Sequence, residues 1–402
     1  LFLSAVLSAL FSGFKLKEMK EKIRMGMIGG GKQSFIGAVH RMAANLDGLI
    51  ELCCGALSSN AENAKASGKE LFLPDHRVYT DYKQMIIEES KLPAEEKMHF
   101  VSIVTPNNVH FEPAMLALEH GFHVVIDKPI TLTLAEAKAL QKKAEETRLI
   151  VCLTHTYSGY PMVKQAKKMV ADGIFGKIRK VVVEYPQGWL SNPAPADNKQ
   201  AAWRADPAKS GISGCMADVG THAAHLAEYI SGLQITKICA DLSIVVQDRL
   251  LDDDGNVLLK FDNGANGVLF ASQIAAGEEN AIKIYVYGEK GGLEWHQMEP
   301  NTLTVKWLDQ PMQIYRTGNA YLSDIAKFNT RTPSGHPEGY LEAFANIYKN
   351  FALTLMAQQE GRSPSPEMLD FPGAAAGVRG MAFIENVVES SKSDQKWFDF
   401  KI

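Results

Sequence analysis

The stretch "KIRMGMIGGGKQSFIGAVH" constrains this chain more than any other: an apolar, strand-like run ends in three glycines and passes at once into a helix-like run. Glycine allows a turn too tight for other residues, and the helix that follows presents free N–H groups at its start. Gly29 and Gly31 take the first two positions of the G-x-G-x-x-G pattern, with Ser34 in the third. The first glycine permits the turn, and the second lets backbone approach a pyrophosphate. Ser34, Phe35 and Ile36 then open the helix whose N-terminus would receive that pyrophosphate. The alternative is a purely structural glycine turn, so the context has to decide.

The context is a β/α alternation. "LIELCCGAL", "FVSIVTP" and "HVVIDKP" read as buried strands, and "NAENAKASGKELF", "DYKQMIIEES", "FEPAMLALEHG" and "TLAEAKALQKKAEETR" as helices. Thr133 and Glu136 form a capping-box signature at the start of the last helix. This order predicts an α/β Rossmann domain, a doubly wound parallel sheet, over residues 19–150. Residues 151–402 differ: short strands from Ile235 to about Tyr315 are separated by "DDDGN", "DNGANG" and "EKGG" and flanked by helices. They predict an α+β domain with an open, mostly antiparallel sheet, its C-terminal helix packing back on the first domain.

Residues 1–18 are apolar but too short to span a bilayer, and they lack a basic n-region or twin arginine. We expect an extension outside the fold, upstream of Met19; a weak signal peptide is the other reading. The net charge of −4 and the absence of a dense Lys/Arg block give no footprint for nucleic acid. Five scattered cysteines without a C-x-x-C pair disfavour a disulfide framework and fit a cytoplasmic protein. No membrane partner is expected.

Polar residues at the carboxyl ends of parallel strands lie where such sheets bind ligands. One strand ends Thr105–Pro106–Asn107, with His110 close behind, and another ends Asp127–Lys128–Pro129. A charged turn would explain the second as well as a site would. The second strand ends Leu57–Ser58–Ser59, where an acid usually binds the ribose hydroxyls. Serines can bind a ribose or accept a 2′-phosphate. With no arginine beside them NAD is favoured, and NADP stays open. Further on, Asp218 and His222 share a face if the chain is helical from Asp218; an N-cap aspartate with a core histidine is the plain alternative. His222 and His225 read H-x-x-H, but no third ligand has motif spacing, so no metal is expected.

The strand–glycine turn, T-P-N, D-K-P, W-R and D-x-G-x-H, in that order, resemble the glucose–fructose oxidoreductase/inositol dehydrogenase (Gfo/Idh/MocA) family from about Met19 onward. The resemblance implies a Rossmann domain followed by a domain whose open sheet face often forms an oligomer interface, hence a homo-oligomer. It implies that Lys128 is the catalytic lysine of an E-K-P motif, with Asp127 in place of the glutamate. Asp218, Gly220 and His222 match D-x-G-x-H-x-x-D, with His225 at the last acidic position. Thr105, Pro106, Asn107 and His110 match the cofactor-side strand end, and Trp203 and Arg204 a W-R element near nicotinamide and substrate. The segment "TPSGHPEGYLEAFANIY" resembles a branch that includes levoglucosan dehydrogenase and sugar 3-dehydrogenases. There His336 would reach the sugar, or stand as a plain loop histidine.

The implied activity is NAD(P)-dependent oxidation of a secondary hydroxyl of a sugar, glycoside, anhydrosugar or cyclitol. His222 would be the base, Lys128 would stabilise alkoxide charge, and Asp218 would orient a neighbouring group. Glycoside hydrolysis through transient oxidation would use the same residues. A sugar-sensing regulator would not need them.

Overall fold

Seven consecutive residues, Ile23–Gly29 (β1), are almost wholly buried, the pattern of a strand covered on both faces. In this computed structural model, which describes residues 21–32, 34–193 and 206–402, β1 lies between β2 (Ile50–Ala56) and β3 (Phe100–Val104). β4 (His123–Ile126) and β5 (Val151–Leu153) extend the sheet, which is parallel throughout in the order β2-β1-β3-β4-β5. The chain leaves β1 towards β2 and later returns to its other side. That reversal opens a crevice at the carboxyl ends of β1 and β3. Helices α1 (Phe35–Asn45), α2 (Ala61–Glu70), α3 (Tyr82–Lys91), α4 (Phe111–Glu119) and α5 (Leu134–Thr147) connect or flank these strands. The expected capping box is present: Thr133 Oγ1 accepts from Glu136 N, and the Glu136 carboxylate accepts from Thr133 N.

After α6 (Pro161–Ala171) comes a second, nine-stranded sheet. Its strands are β6 (Lys180–Pro186), β7 (Ile235–Ser243), β8 (Asp254–Phe261), β9 (Asn266–Ser272), β10 (Lys283–Tyr287), β11 (Gly291–His296), β12 (Thr302–Trp307), β13 (Gln313–Arg316) and β14 (Phe398–Asp399). The order is β13-β12-β11-β10-β6-β9-β8-β7-β14, antiparallel except where β6 runs parallel to β9. The sheet therefore reaches beyond the expected stretch of 235–315. β6, "KVVVEYP", lies outside that stretch in sequence and enters at the middle of the sheet. Alternating burial along β8 shows one face covered and the other open.

The covered face packs against α7 (Thr221–Ser231), and α9 (Ala374–Ser391) packs on both α5 and β7. α8 (Tyr340–Gln359) returns to the first sheet, where Phe344, Tyr348 and Phe351 share a core with Met25, Val39 and Phe100. Tyr348 OH also reaches His40 Nδ1 (2.7 Å) and Ser102 Oγ (2.8 Å). The helical tail thus ties the two sheets together. All five cysteines are free, and no helix among the described residues is long and apolar enough to cross a membrane. Residues 1–18 lie outside the described residues.

Candidate active site

The glycine turn begins with Gly29 and Gly30 at φ +80° and +74°, a region that disfavours side chains. Ser34, expected in the third glycine position, is instead the N-cap of α1, its Oγ accepting from Gly37 N. The close contact between helix and turn falls to Gly37, where a Cβ would stand 2.3 Å from Gly30 Cα. A cavity of about 1470 Å³ opens from this turn, lined by Gly29, Gly31, Ser34, Phe35 and Ile36 at one end. Gly31 lines the cavity with backbone alone beside the N-terminus of α1, and a Cβ there would stand 2.6 Å from Leu57 O, so the turn lies directly against the residue that follows β2. That cradle and volume fit a dinucleotide.

Ser58 and Ser59 line the same end, with Ser58 Oγ accepting from Asn63 Nδ2 at 3.2 Å. Lys32 lines it too, its Nζ 2.6 Å from Glu70 Oε1. The sequence around the two serines shows no cation. The fold brings one from the glycine turn and pairs it with an acid.

The cavity continues past Thr105, Pro106 and Asn107 to Asp127, Lys128, Asp218 and His222. Lys128 Nζ donates to Asp218 Oδ1 (2.7 Å) and to Asp218 O (2.6 Å). The other carboxylate oxygen of Asp218 accepts from Gln273 Nε2 at 2.8 Å. Asp218 is therefore no N-cap. It stands in a π-turn, Met216–Gly220, that precedes α7, so the regular helix begins three residues later than expected. Asp127 Oδ1 accepts from Lys128 N (2.9 Å) and from Thr154 Oγ1 (3.0 Å), and His40 Nε2 lies 3.9 Å away. Burial alone would raise the Asp127 carboxyl. Facing His40, Lys128 and His110 outweigh it and hold the group well below the usual carboxylate range.

His222 Nδ1 lies 3.3 Å from His155 Nδ1, which leaves Nε2 for the cavity. Burial, and then the Lys128 charge, push the His222 imidazole well below its ordinary range, with Asp218 and Asp127 pulling the other way. His225 shares no ligand cluster with His222. Its ring stacks between those of His155 (4.2 Å) and Tyr229 (5.6 Å). Among the described residues, the one His/Cys/Asp/Glu trio with ligand atoms within 4.8 Å is Cys53, Cys54 and Glu89, where Arg77 Nε and Nη2 already hold both Glu89 oxygens.

A belt of neutral polar groups completes the inner end. Tyr157 OH meets Tyr185 OH, Asn280 Nδ2 donates to Tyr157 OH (3.0 Å), and Gln187 Nε2 donates to Asn280 Oδ1 (2.6 Å). Neither this belt nor His155 was anticipated from the sequence. Yet "THTYSG" follows β5, the same strand-end position that singled out T-P-N and D-K-P.

Two expected contacts are corrected. His110 does not line the cavity: it is 1% exposed, its Nδ1 2.8 Å from Pro129 O and Nε2 2.9 Å from Thr105 O. It joins the two strand-end turns from behind. His336 is exposed on a loop away from the cavity, its Nδ1 3.2 Å from Pro333 O, because Glu338 turns the loop by accepting from Arg331 N and Thr332 N. Trp203 and Arg204 lie outside the described residues.

A dinucleotide-binding sheet and a lysine–aspartate–histidine set over one cavity define an NAD-binding oxidoreductase. Residues 23–155 match the model of the oxidoreductase family with NAD-binding Rossmann fold, and residues 163–294 the GFO/IDH/MocA C-terminal domain. The chain belongs to the Gfo/Idh/MocA family. It is similar to an oxidoreductase of Sinorhizobium meliloti of known crystal structure, at 44% identity and a TM-score of 0.85 over 94% of this chain and 100% of that one. An inositol dehydrogenase homologue of Azotobacter vinelandii, solved with NADH and myo-inositol, is 33% identical with a TM-score of 0.87, over 95% of this chain and 98% of that one. Levoglucosan dehydrogenase of Pseudarthrobacter phenanthrenivorans is 26% identical over 94% of this chain and 98% of that one.

Proposed function

We propose that the protein oxidises a secondary hydroxyl of an uncharged cyclitol or sugar to the ketone, with NAD as hydride acceptor. One observation carries this reading: Lys128, Asp218 and His222 converge at the inner end of the cavity that begins at the glycine turn. The substrate hydroxyl would lie between Lys128 Nζ and His222 Nε2. His222 takes the hydroxyl proton, and Lys128 stabilises the negative charge that develops on oxygen. Asp218, held by Gln273, fixes the ammonium group. Bound NAD supplies the hydride acceptor. Tyr157, Tyr185, Gln187 and Asn280 offer neutral donors and acceptors, which suit further hydroxyls of a polyol.

NAD is preferred to NADP because Ser58 and Ser59 suit a ribose diol and Lys32 is paired with Glu70. In this reading residues 19–150 bind NAD and residues 151–402 hold the substrate. The open face of the nine-stranded sheet pairs with a second copy of the chain, and the protein works in the cytoplasm, in keeping with its unpaired cysteines. A screen of cyclitols, free sugars, glucosides and anhydrosugars, followed by absorbance of reduced NAD and NADP, tests the reading. Accumulation of NADH with at least one of them supports it, and release of an aglycone without net NADH contradicts it.

A further inference from the structure

A proton taken by His222 must leave a cavity that substrate and cofactor would fill. The wall behind His222 offers a way out. His155, in the turn after β5, is 1% exposed and meets His222 through the two Nδ1 atoms at 3.3 Å. The His225 ring stacks on His155 and lines a second cavity of about 240 Å³. Gly380 lines that second cavity too, and a Cβ there would stand 3.2 Å from Thr221 Oγ1 and 3.9 Å from His155 Nε2. The far nitrogen of His155 therefore lies beside a position kept clear of side chain.

We propose that His155 relays the substrate proton from His222 towards the second cavity. The proton enters at His222 Nε2 as the His222 Nδ1 proton passes to His155 Nδ1 and the His155 Nε2 proton passes to water beside Gly380. One proton enters, one leaves, and neither ring stays charged. The surroundings demand such a concerted transfer. Lys128, Asp218 and, beyond them, Asp127 face His222 from the cavity, with the rings of Tyr157 and Tyr185 alongside. His225 faces His155, with Lys167 and Asp370 beyond it. Burial pushes both His155 and His222 well below the ordinary imidazole range, so a lasting imidazolium in either ring is disfavoured. The relay rests on the reading of His222 as the base, and it gives the His222–His225 spacing a role without a metal.

The test compares wild type, His155→Ala, His155→Phe and Gly380→Ala in the polyol screen, with and without added imidazole, alongside NAD titrations. His155→Ala and His155→Phe should each lower kcat about tenfold or more with NAD affinity unchanged, and imidazole should restore part of the loss in His155→Ala, where the deleted ring leaves room for it, but none in His155→Phe. Gly380→Ala should lower kcat less and enlarge the solvent deuterium isotope effect. A wild-type rate in His155→Phe, or a loss in His155→Ala that imidazole leaves untouched, overturns the relay alone. Wild type that reduces no NAD with any polyol overturns the reading of the site and the relay with it. Nitrogen-15 NMR of histidine-labelled protein with NAD gives an independent check: the relay requires the His222 proton on Nδ1, and a proton found on Nε2 overturns it.

Discussion

Lys128, at the end of β4, and Asp218, in the π-turn before α7, are joined across the two sheets by contacts of 2.7 Å to the carboxylate and 2.6 Å to the main-chain oxygen. Two acceptors from one residue aim the ammonium group. An exposed ion pair would give little, but these side chains are only 14% and 18% exposed, so the pair fixes geometry where charge develops.

Lys128→Ala and His222→Ala should each lower kcat by about 100-fold or more while NAD still binds, since loss of one charge-stabilising donor or one general base has effects of that size. Steady-state kinetics beside NAD titration check this. Near-normal turnover in either variant removes that residue from the mechanism. Because the His222 imidazole is held well below its ordinary range, it stays neutral on mild acidification. The wild-type kcat/KM for oxidation should therefore stay level from about pH 8 to about pH 6, where a free imidazole would begin to fail.

Gly37→Ala should damage both stability and cofactor binding. The added Cβ would stand 2.3 Å from Gly30 Cα and 2.9 Å from Gly30 O, both backbone atoms. Overpacking of this kind costs about 1–3 kcal/mol, and any shift of the turn moves the groups that would hold the pyrophosphate. Denaturant unfolding and NAD titration should both show losses. Unchanged NAD affinity would mean that the turn is structural.

Acid should weaken the fold through its buried histidines. His123 Nδ1 accepts from Ile150 N at 2.9 Å, and burial, then the charge on His99, hold the ring down to about 4. The unfolded ring takes up a proton near pH 6.5. Between these values the unfolded chain binds more protons, so the stability is full above about pH 6.5 and declines as pH falls towards 4. From pH 7 to pH 5 this group alone costs about 2 kcal/mol. Unfolding free energies at the two pH values should converge in His123→Gln relative to wild type, and an identical pH dependence would contradict the assignment.

Tyr348→Phe should loosen α8 from the first sheet. The hydroxyl reaches both His40 and Ser102 in a buried site. Its loss should cost about 1–3 kcal/mol, because two buried polar groups lose a partner. Chemical denaturation measures this, and a change below a few tenths of a kcal/mol would show the network to be dispensable.

Much of the architecture was legible because it rests on local chemistry. Glycines at a strand end, the Thr133–Glu136 box and apolar runs at 10-to-30-residue spacing speak for themselves over short distances. Lys128 stood out at a strand end and Asp218 and His222 by their spacing, but a charged turn and a core histidine fitted those local features as well, and the catalytic roles came only with the family resemblance. What escaped is long-range. His40 and Tyr348 are 308 residues apart in sequence, and His155 meets His222 across 67. Lys32 belongs to the glycine turn yet reaches the Ser58–Ser59 end of the cavity. Gly37 escaped for a different reason: the pattern looks for its third glycine at position 34, and here a serine cap takes that place. Asp127 has also acquired partners. Thr154 and the Lys128 N–H hold it and His40 faces it, so the shorter acid anchors the lysine turn from within.

Hydride transfer within this cavity is what most needs measurement. Incubating the protein with NAD and polyols deuterated at the carbinol carbons, then analysing the nicotinamide by mass spectrometry, follows it directly. The NADH formed should carry deuterium, and it should form about 100-fold or more slowly with His222→Ala or Lys128→Ala. Absence of labelled NADH from every cyclitol, sugar, glucoside and anhydrosugar, with NAD demonstrably bound, would contradict hydride transfer in this cavity.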